Sequence, residues 1–181
     1  MMVLFTQIST SSTSYPFVED LYVSAFPPEE RRPIVFQRAN IDDNPLMRLL
    51  LISDEQKAPI GFITYWTFDS FCYVEHFAIH PIYRNKGFGS QSILSFINSV
   101  QLPVVLECEL PGSSDIADRR IDFYKRSGFH LWSREYIQPP YPGNNDNGTF
   151  LSLMVTEGLE VDMDFEMIVK TIYHNVYCRT Q

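Results

Sequence analysis

The segment Arg84–Ser90, with the sequence RNKGFGS, constrains the fold of this chain more than any other. It lies between a strand-like run, Tyr73–Ile79, and a run with helical spacing of apolar residues, Ser90–Val100. The first N–H groups of a helix have no partners inside it, and the helix dipole adds positive potential there. Gly87 and Gly89 let the main chain approach a bulky group closely. A strand, a glycine-rich bend and a helix start together predict an anion site, and we expect a diphosphate.

The known nucleotide patterns fit this segment poorly. A Walker loop needs four residues between its glycines and then Gly-Lys-Ser/Thr, whereas Gly89 is followed by Ser90 and Gln91. A dinucleotide fingerprint that starts at Gly87 has Ser92 in place of its third glycine. For this fragment alone, a strand-to-helix turn with solvated charges is the alternative interpretation.

Two longer stretches give the segment a context. It is preceded by Ala78–Tyr83, with the sequence AIHPIY, and a second motif, FYKRSGF, lies downstream at Phe123–Phe129. In this order and at this spacing, the two motifs resemble the coenzyme A signature and the helix-to-strand segment of the GNAT N-acetyltransferase superfamily. The resemblance covers roughly residues 47–136 well and residues 3–26 more loosely. It implies an α/β fold with a mixed central sheet and flanking helices.

The length of 181 residues predicts a single domain, 1–181, with a core at about 47–136. Residues 156–181 form a predicted C-terminal helical extension, because apolar residues recur at helical spacing between Asp162 and Tyr177. This helix is additional to the minimal fold of the superfamily. The pattern leaves open whether it covers the sheet or forms a contact in a homodimer.

The end of the predicted core carries several local signals. Ser113 or Ser114 is placed to cap a helix that runs to Ser127, and Gly128 suits the left-handed position after a helix end. We expect two final strands, Phe129–Ile137 and Thr149–Val155, joined by a Pro- and Asn-rich loop over residues 138–148.

Composition limits the partners of the protein. A net charge of −8 disfavours nucleic acid and mildly favours a cationic acceptor. No apolar run reaches the length of a membrane span, and the N-terminus lacks a basic region followed by an apolar stretch. The three cysteines are scattered and form no ligand spacing with the histidines. We therefore expect a cytoplasmic protein with reduced cysteines, no membrane partner and no bound metal.

The resemblance implies a reaction and a cofactor. An acetyl group would pass from acetyl-CoA to a primary amine, of a small molecule or a peptide, by direct attack in a ternary complex. A non-catalytic acyl-CoA-binding sensor or interaction module of the same fold is the alternative. The residues implied to bind the cofactor are Phe77, Ala78, Ile79, Arg84, Lys86, Gly87, Phe88, Gly89 and Ser90.

Tyr124 and Glu75 are the candidates for proton transfer. Family members often have a tyrosine five residues before the phenylalanine of the second motif, and Tyr124 precedes Phe129 by five. A phenol stays protonated near neutral pH and could donate to the departing thiolate, although Tyr124 could instead fill the helix–sheet interface. Glu75 lies in an apolar strand, where a raised pKa would suit a general base. Its alternative role is an ion pair or a pair with His76.

Glu107 and Glu109 compete with Glu75 for the role of base. The period of two along a strand puts both on one face, with Cys108 on the other. Two carboxylates on one face are equally typical of a site for the acceptor amine. Water could also carry the proton, in which case none of these carboxylates acts as the base.

Overall fold

A computed structural model of the chain describes residues 2–143 and 147–179, so residues 144–146 of the predicted loop 138–148 lie outside the described residues. The chain divides into two compact units, Met1–Leu102 and Pro103–Gln181. The expectation of a single domain stays a prediction. Among the described residues, each helix is either too short or too polar to cross a bilayer.

The first unit contains a four-stranded antiparallel sheet in the order β1–β2–β3–β4. Its strands are β1 (Leu4–Gln7), β2 (Met47–Ser53), β3 (Pro59–Thr67) and β4 (Cys72–Ile79). Apolar side chains dominate β2, β3 and β4, and most of their residues are buried. Gly61 allows β3 and β4 to approach closely, because a Cβ there would lie 2.4 Å from the carbonyl oxygen of Ala78.

Two of the three α-helices of the first unit, the first and the third, follow from the helical spacing of their apolar residues. The three helices are α1 (Tyr15–Ala25), α2 (Ile34–Asp43) and α3 (Phe88–Ser99), with short 3-10 helices at Pro28–Glu30 and Pro81–Tyr83. Helix α1 buries Tyr15, Val18, Leu21 and Tyr22 against the sheet. It ends at Ala25 because a pair of prolines follows Phe26 and cannot continue the helix.

The second unit is built around a single central strand. Its elements are β5 (Val104–Glu109), α4 (Asp115–Arg126), β6 (His130–Leu131), β7 (Tyr136–Gln138), β8 (Thr149–Val155) and α5 (Val161–Asn175). Strand β8 pairs antiparallel with β5, β6 and β7. The predicted C-terminal helix is present as α5.

The predicted strand Phe129–Ile137 is wrong in one respect, because it is divided into β6 and β7. Leu131 pairs with Met154, and Tyr136 pairs with Leu151. Four residues therefore lie between the paired positions on one side and two on the other. The two extra residues must leave the ladder, which interrupts the strand.

Candidate functional site

The glycine-rich bend ends in an uncapped helix. Gly87 has φ of 84°, a left-handed conformation that glycine adopts without strain, and it occupies the N-cap of α3 with no side chain to cap the helix. The first hydrogen bond into the helix runs from the N–H of Gln91 to the carbonyl of Gly87. The N–H groups of Phe88, Gly89 and Ser90 therefore have no acceptor within the helix. Gly89 itself has helical rather than left-handed backbone.

The two cations of the bend are exposed, and each contacts a neighbour. The Nε of Arg84 donates to the carbonyl oxygen of Ile79 at 2.9 Å, which ties the bend to the end of β4. The Nζ of Lys86 lies 5.8 Å from the centre of the Tyr83 ring. Uncapped N–H groups, a helix dipole and two exposed cations are features that favour the binding of an anion, and the anion site stays a prediction.

The predicted cofactor strand lies directly before this bend. Phe77, Ala78 and Ile79 pair with residues of β3, and Ala78 and Ile79 are buried while Phe77 is partly exposed. The buried strand β4 is therefore followed directly by the segment that contains the glycine-rich bend. The contact of these three residues with a cofactor stays a prediction.

Glu75 occupies a β-bulge. Thr64 pairs with His76, and the next residue, Tyr65, pairs with Val74. Strand β4 therefore contains one extra residue, Glu75, at this point of the ladder. The bulge turns its side chain inwards, where it is fully buried. Bulges of this kind often re-aim a side chain next to a functional site.

A cation and an indole hold the Glu75 carboxylate. The guanidinium of Arg32 donates to Oε1 in an ion pair, and the Nε1 of Trp66 donates to Oε2 at 2.8 Å. Arg32 is itself buried and lies 5.3 Å from the centre of the Trp66 ring. The structure therefore places Glu75 in the ion pair that the sequence left as its alternative role, with His76 Nδ1 at 3.9 Å.

His76 connects the same strand to the segment after α1. Its Nε2 lies 3.3 Å from the carbonyl oxygen of Glu30, and its Nδ1 lies 3.2 Å from the hydroxyl of Thr64. A carbonyl only accepts, so Nε2 carries the proton and Nδ1 accepts from Thr64. The rings of Tyr22 and Phe26 pack edge-on against the imidazole. Burial, opposed by the nearby Glu75 charge, lowers the pKa of His76 to about 4, so the ring is neutral at pH 7.

Tyr124 is fixed by the end of α4. Gly128 has φ of 90°, its N–H donates to the carbonyl of Lys125, and the N–H of Phe129 donates to the carbonyl of Tyr124. This is a Schellman motif, as the sequence predicted, and Ser114 caps the other end by accepting from the N–H of Ala117. The Tyr124 and Phe129 rings pack 5.5 Å apart.

The surroundings of the Tyr124 phenol favour its protonated form. It is buried, and its hydroxyl has no hydrogen-bond partner among the described residues. Burial raises its pKa to about 12, while Arg120 lowers it and Cys108 and Glu109 raise it. A phenol with this pKa remains protonated at neutral pH.

The two carboxylates of β5 have different surroundings. Glu109 Oε1 accepts from Arg120 at 2.6 Å, whereas its Oε2 is buried and has no hydrogen-bond partner among the described residues. Glu107 accepts from the hydroxyl of Tyr136 and, at 2.6 Å, from Nε2 of Gln138. Both carboxylates alternate with buried Cys108 along the strand, but they are held by separate sets of partners.

Sequence reasoning missed two partners of these carboxylates. Arg32 lies in a stretch, residues 29–44, with three arginines and no apolar periodicity, so nothing in the sequence distinguishes it as the buried one. Tyr177, whose hydroxyl donates to Glu107 Oε2 at 2.8 Å, was predicted only as the end of a helix. Its pairing joins residues 70 positions apart in the chain.

Within residues 2–143 and 147–179, no group of three or more His, Cys, Asp or Glu side chains is arranged to hold a metal ion.

Comparison with known proteins identifies the class. The model of the Acetyltransferase (GNAT) family matches residues 15–129, which is more than half of the chain. The chain belongs to this family. A solved structure of a GNAT-family protein from Bacteroides thetaiotaomicron is 41% identical, covers 98% of this chain and 99% of that one, and has a TM-score of 0.93. The predicted α/β fold, with its mixed sheet, flanking helices and C-terminal helix, is confirmed.

More distant solved structures share the fold alone. A GNAT family acetyltransferase from Elizabethkingia anophelis with acetyl-CoA bound has a TM-score of 0.60 at 16% identity, covering 86% of this chain and 98% of that one. A spermidine N-acetyltransferase from Vibrio cholerae in complex with CoA and spermine has a TM-score of 0.60 at 15% identity, covering 83% and 94%. No curated protein matches the chain.

Proposed function

We propose that this protein is an N-acetyltransferase that transfers an acetyl group from acetyl-CoA to a primary amine by direct attack in a ternary complex. The observation that carries the proposal is the uncapped start of α3, where the N–H groups of Phe88, Gly89 and Ser90 lack acceptors within the helix. Membership of an acetyltransferase family gives this anion site its ligand, the diphosphate of coenzyme A. Arg84 and Lys86 add charge beside it.

The departing thiolate needs a proton, and Tyr124 is the residue we propose to supply it. Its hydroxyl is not engaged by another described residue, and burial raises its pKa to about 12, so the proton is present at neutral pH. A thiolate of ordinary pKa, about 8.5, is stabilised by such a donor.

The acceptor amine is assigned to the carboxylates of β5. Glu109 has a buried oxygen with no hydrogen-bond partner among the described residues, which an ammonium or a water molecule would satisfy. The Glu107 carboxylate is partly exposed and is oriented by neutral donors. Glu109 Oε2 is therefore the better candidate to take the ammonium proton, directly or through water.

Glu75 receives a different role from the one that its sequence context favours. Its carboxylate is bonded to Arg32 and to Trp66, so both of its oxygens already accept hydrogen bonds from buried side chains. We infer that Glu75 stabilises the bulge in β4 and the segment after α1 rather than accepting the proton.

A covalent acetyl-enzyme is disfavoured by the state of Cys108. Burial raises the pKa of this thiol to about 12, with the charge of Glu109 adding to the effect. Since the thiolate is the nucleophile, Cys108 is inert at neutral pH. Direct attack by the amine is the simpler course.

The first test is thiol release from acetyl-CoA with a panel of primary amines that includes spermidine. Tyr124→Phe should lower kcat by roughly 10²-fold or more, the usual contribution of general acid catalysis, without changing the affinity for acetyl-CoA measured by calorimetry. Tyr65→Phe is the matched control, because it removes another phenol whose pKa is raised by burial. Binding of acetyl-CoA without turnover of any amine, and no effect of Tyr124→Phe, would favour the non-catalytic sensor.

The anion site is tested separately. Gly89→Val should crowd the diphosphate and weaken acetyl-CoA binding at least about tenfold. Leu94→Val is the control, since it puts the same β-branched side chain at an exposed position of the same helix. Equal affinities of the two variants would count against a diphosphate at the start of α3.

A further inference from the structure

The segment after α5 contacts Glu107, one of the two carboxylates proposed to bind the acceptor. Tyr177 follows α5 by two residues and is only 1% exposed. Its hydroxyl donates to Glu107 Oε2 at 2.8 Å. The side-chain Nε2 of Gln138 donates both to that carboxylate oxygen, at 2.6 Å, and to the Tyr177 hydroxyl, at 2.8 Å. The three groups form a closed triangle of hydrogen bonds.

Further aromatic residues complete the surroundings of this carboxylate. Tyr136 donates its hydroxyl proton to Oε1, and the Tyr141 ring lies 5.0 Å from the Tyr177 ring. Tyr173 of α5 packs 6.0 Å from Tyr136 and donates to the carbonyl of Ile137, which fixes the helix against β7. The two phenol hydroxyls and the amide that bind Glu107 are neutral donors, so they orient its carboxylate without cancelling its charge.

The charge of Glu107 affects the pKa of two neighbouring tyrosines. Burial raises the pKa of Tyr136 well above its ordinary value, and the Glu107 charge raises it further. The same two causes raise the pKa of Tyr173. An alkylammonium is attracted to a carboxylate whose hydrogen-bond donors carry no positive charge.

We propose that Tyr177 is a positioning residue for the acceptor, holding the Glu107 carboxylate where it binds the ammonium group of an alkylamine. This inference rests on the proposed function, which gives Glu107 to the acceptor. It assigns a role to α5, for which the sequence left open a cover for the sheet or a dimer contact. The helix carries Tyr177 to the carboxylate.

The test compares two conservative variants of the full-length protein. Tyr177→Phe keeps the buried ring and removes only the hydroxyl that reaches Glu107. It should raise the KM for the alkylamine about tenfold or more, since hydrogen bonds to charged groups are among the stronger ones. The KM for acetyl-CoA and kcat should stay within about twofold. Tyr173→Phe is the matched control, because its hydroxyl reaches a backbone carbonyl instead, and its KM for the amine should change much less.

A second background separates positioning from a general loss of structure. In Glu107→Gln, the further change Tyr177→Phe should have no additional effect on the KM for the amine. An additional tenfold increase there, or an equal effect of Tyr173→Phe, would overturn the inference.

Calorimetric binding of spermidine to the acetyl-CoA complex distinguishes failure of the inference from failure of the proposed function. Absence of turnover with every amine in the wild-type protein would refute the proposed function. Weaker spermidine binding by Tyr177→Phe than by wild type would still support the positioning role. Equal binding by the two proteins, or none by either, would refute that role.

Discussion

Glu75 in the first unit and Glu107 in the second are both carboxylates held by several donors, but the donors differ in kind. The side chain of Glu75 is fully buried and bonded to a guanidinium and an indole. Glu107 is partly exposed and bonded to two phenols and an amide. A cation orients the carboxylate and offsets its negative charge. Neutral donors orient a carboxylate without adding a positive charge. The difference suggests an anchor in one unit and a binding group in the other.

The largest effect should come from removing the cation of the Glu75 pair. Arg32→Met leaves a buried carboxylate without its partner, and we expect it to lower the free energy of unfolding by about 3–5 kcal/mol in denaturant titrations. Arg38→Met breaks an exposed pair with Glu19 and is the control; it should have a far smaller effect. If Arg32→Met is no more damaging than the control, the ion pair is not an anchor.

The neighbouring imidazole gives the anchor a pH dependence. The pKa of His76 is about 4 in the folded protein and 6.5 as its ordinary value. Below pH 6.5 the unfolded chain therefore binds a proton that the folded protein accepts only near pH 4, so stability falls as the pH decreases through this window. The loss at its acid end is about 3 kcal/mol.

Two histidine variants test this pH dependence, His76→Gln as the test and His130→Gln as its control. Unfolding measured between pH 7.5 and pH 4.5 should become less dependent on pH in His76→Gln, and should keep its slope in His130→Gln, which alters an exposed residue. An unchanged slope in His76→Gln would show that this ring does not stay neutral in the fold.

The smallest effect on stability is expected at the other carboxylate. Glu107→Gln leaves an amide that phenol hydroxyls can still bond, so it should cost about 1 kcal/mol of unfolding free energy. Its main consequence should be a higher KM for the amine. Glu75→Gln should do the reverse, since it leaves the buried Arg32 without a counter-ion and should lower stability. Equal stability losses in the two variants would remove the distinction between anchor and binding group.

Local signals predicted the backbone well, because each depends on a few adjacent residues. Gly87 takes the left-handed conformation at the start of α3, and Gly128 closes the Schellman motif after α4. Ser114 caps α4 by its side chain. The divided strand after Gly128 was not predictable, since the interruption arises from the register of β6 and β7 on β8 and not from a local breaker.

Side-chain environments were predicted less well, because the surroundings of a carboxylate depend on distant partners. The apolar neighbours of Glu75 in the sequence suggested a raised pKa and a general base. They gave no sign that Arg32, 43 positions earlier, would pair with it. In the same way, alternation put Glu107 and Glu109 on one face of β5, but their partners come from β7, α4 and the segment after α5.

By itself, the amino-acid sequence determined the family, the conformation of the glycine-rich bend and most helices and strands, because spacing, glycines and caps act over a few residues. Only the tertiary structure decided which carboxylate meets a cation, which meets phenols, and which has a buried oxygen with no hydrogen-bond partner in the described part of the chain. Hydrogen bonding and burial depend on groups that the chain brings together across tens of residues. Those contacts set the charge and the chemistry of each site.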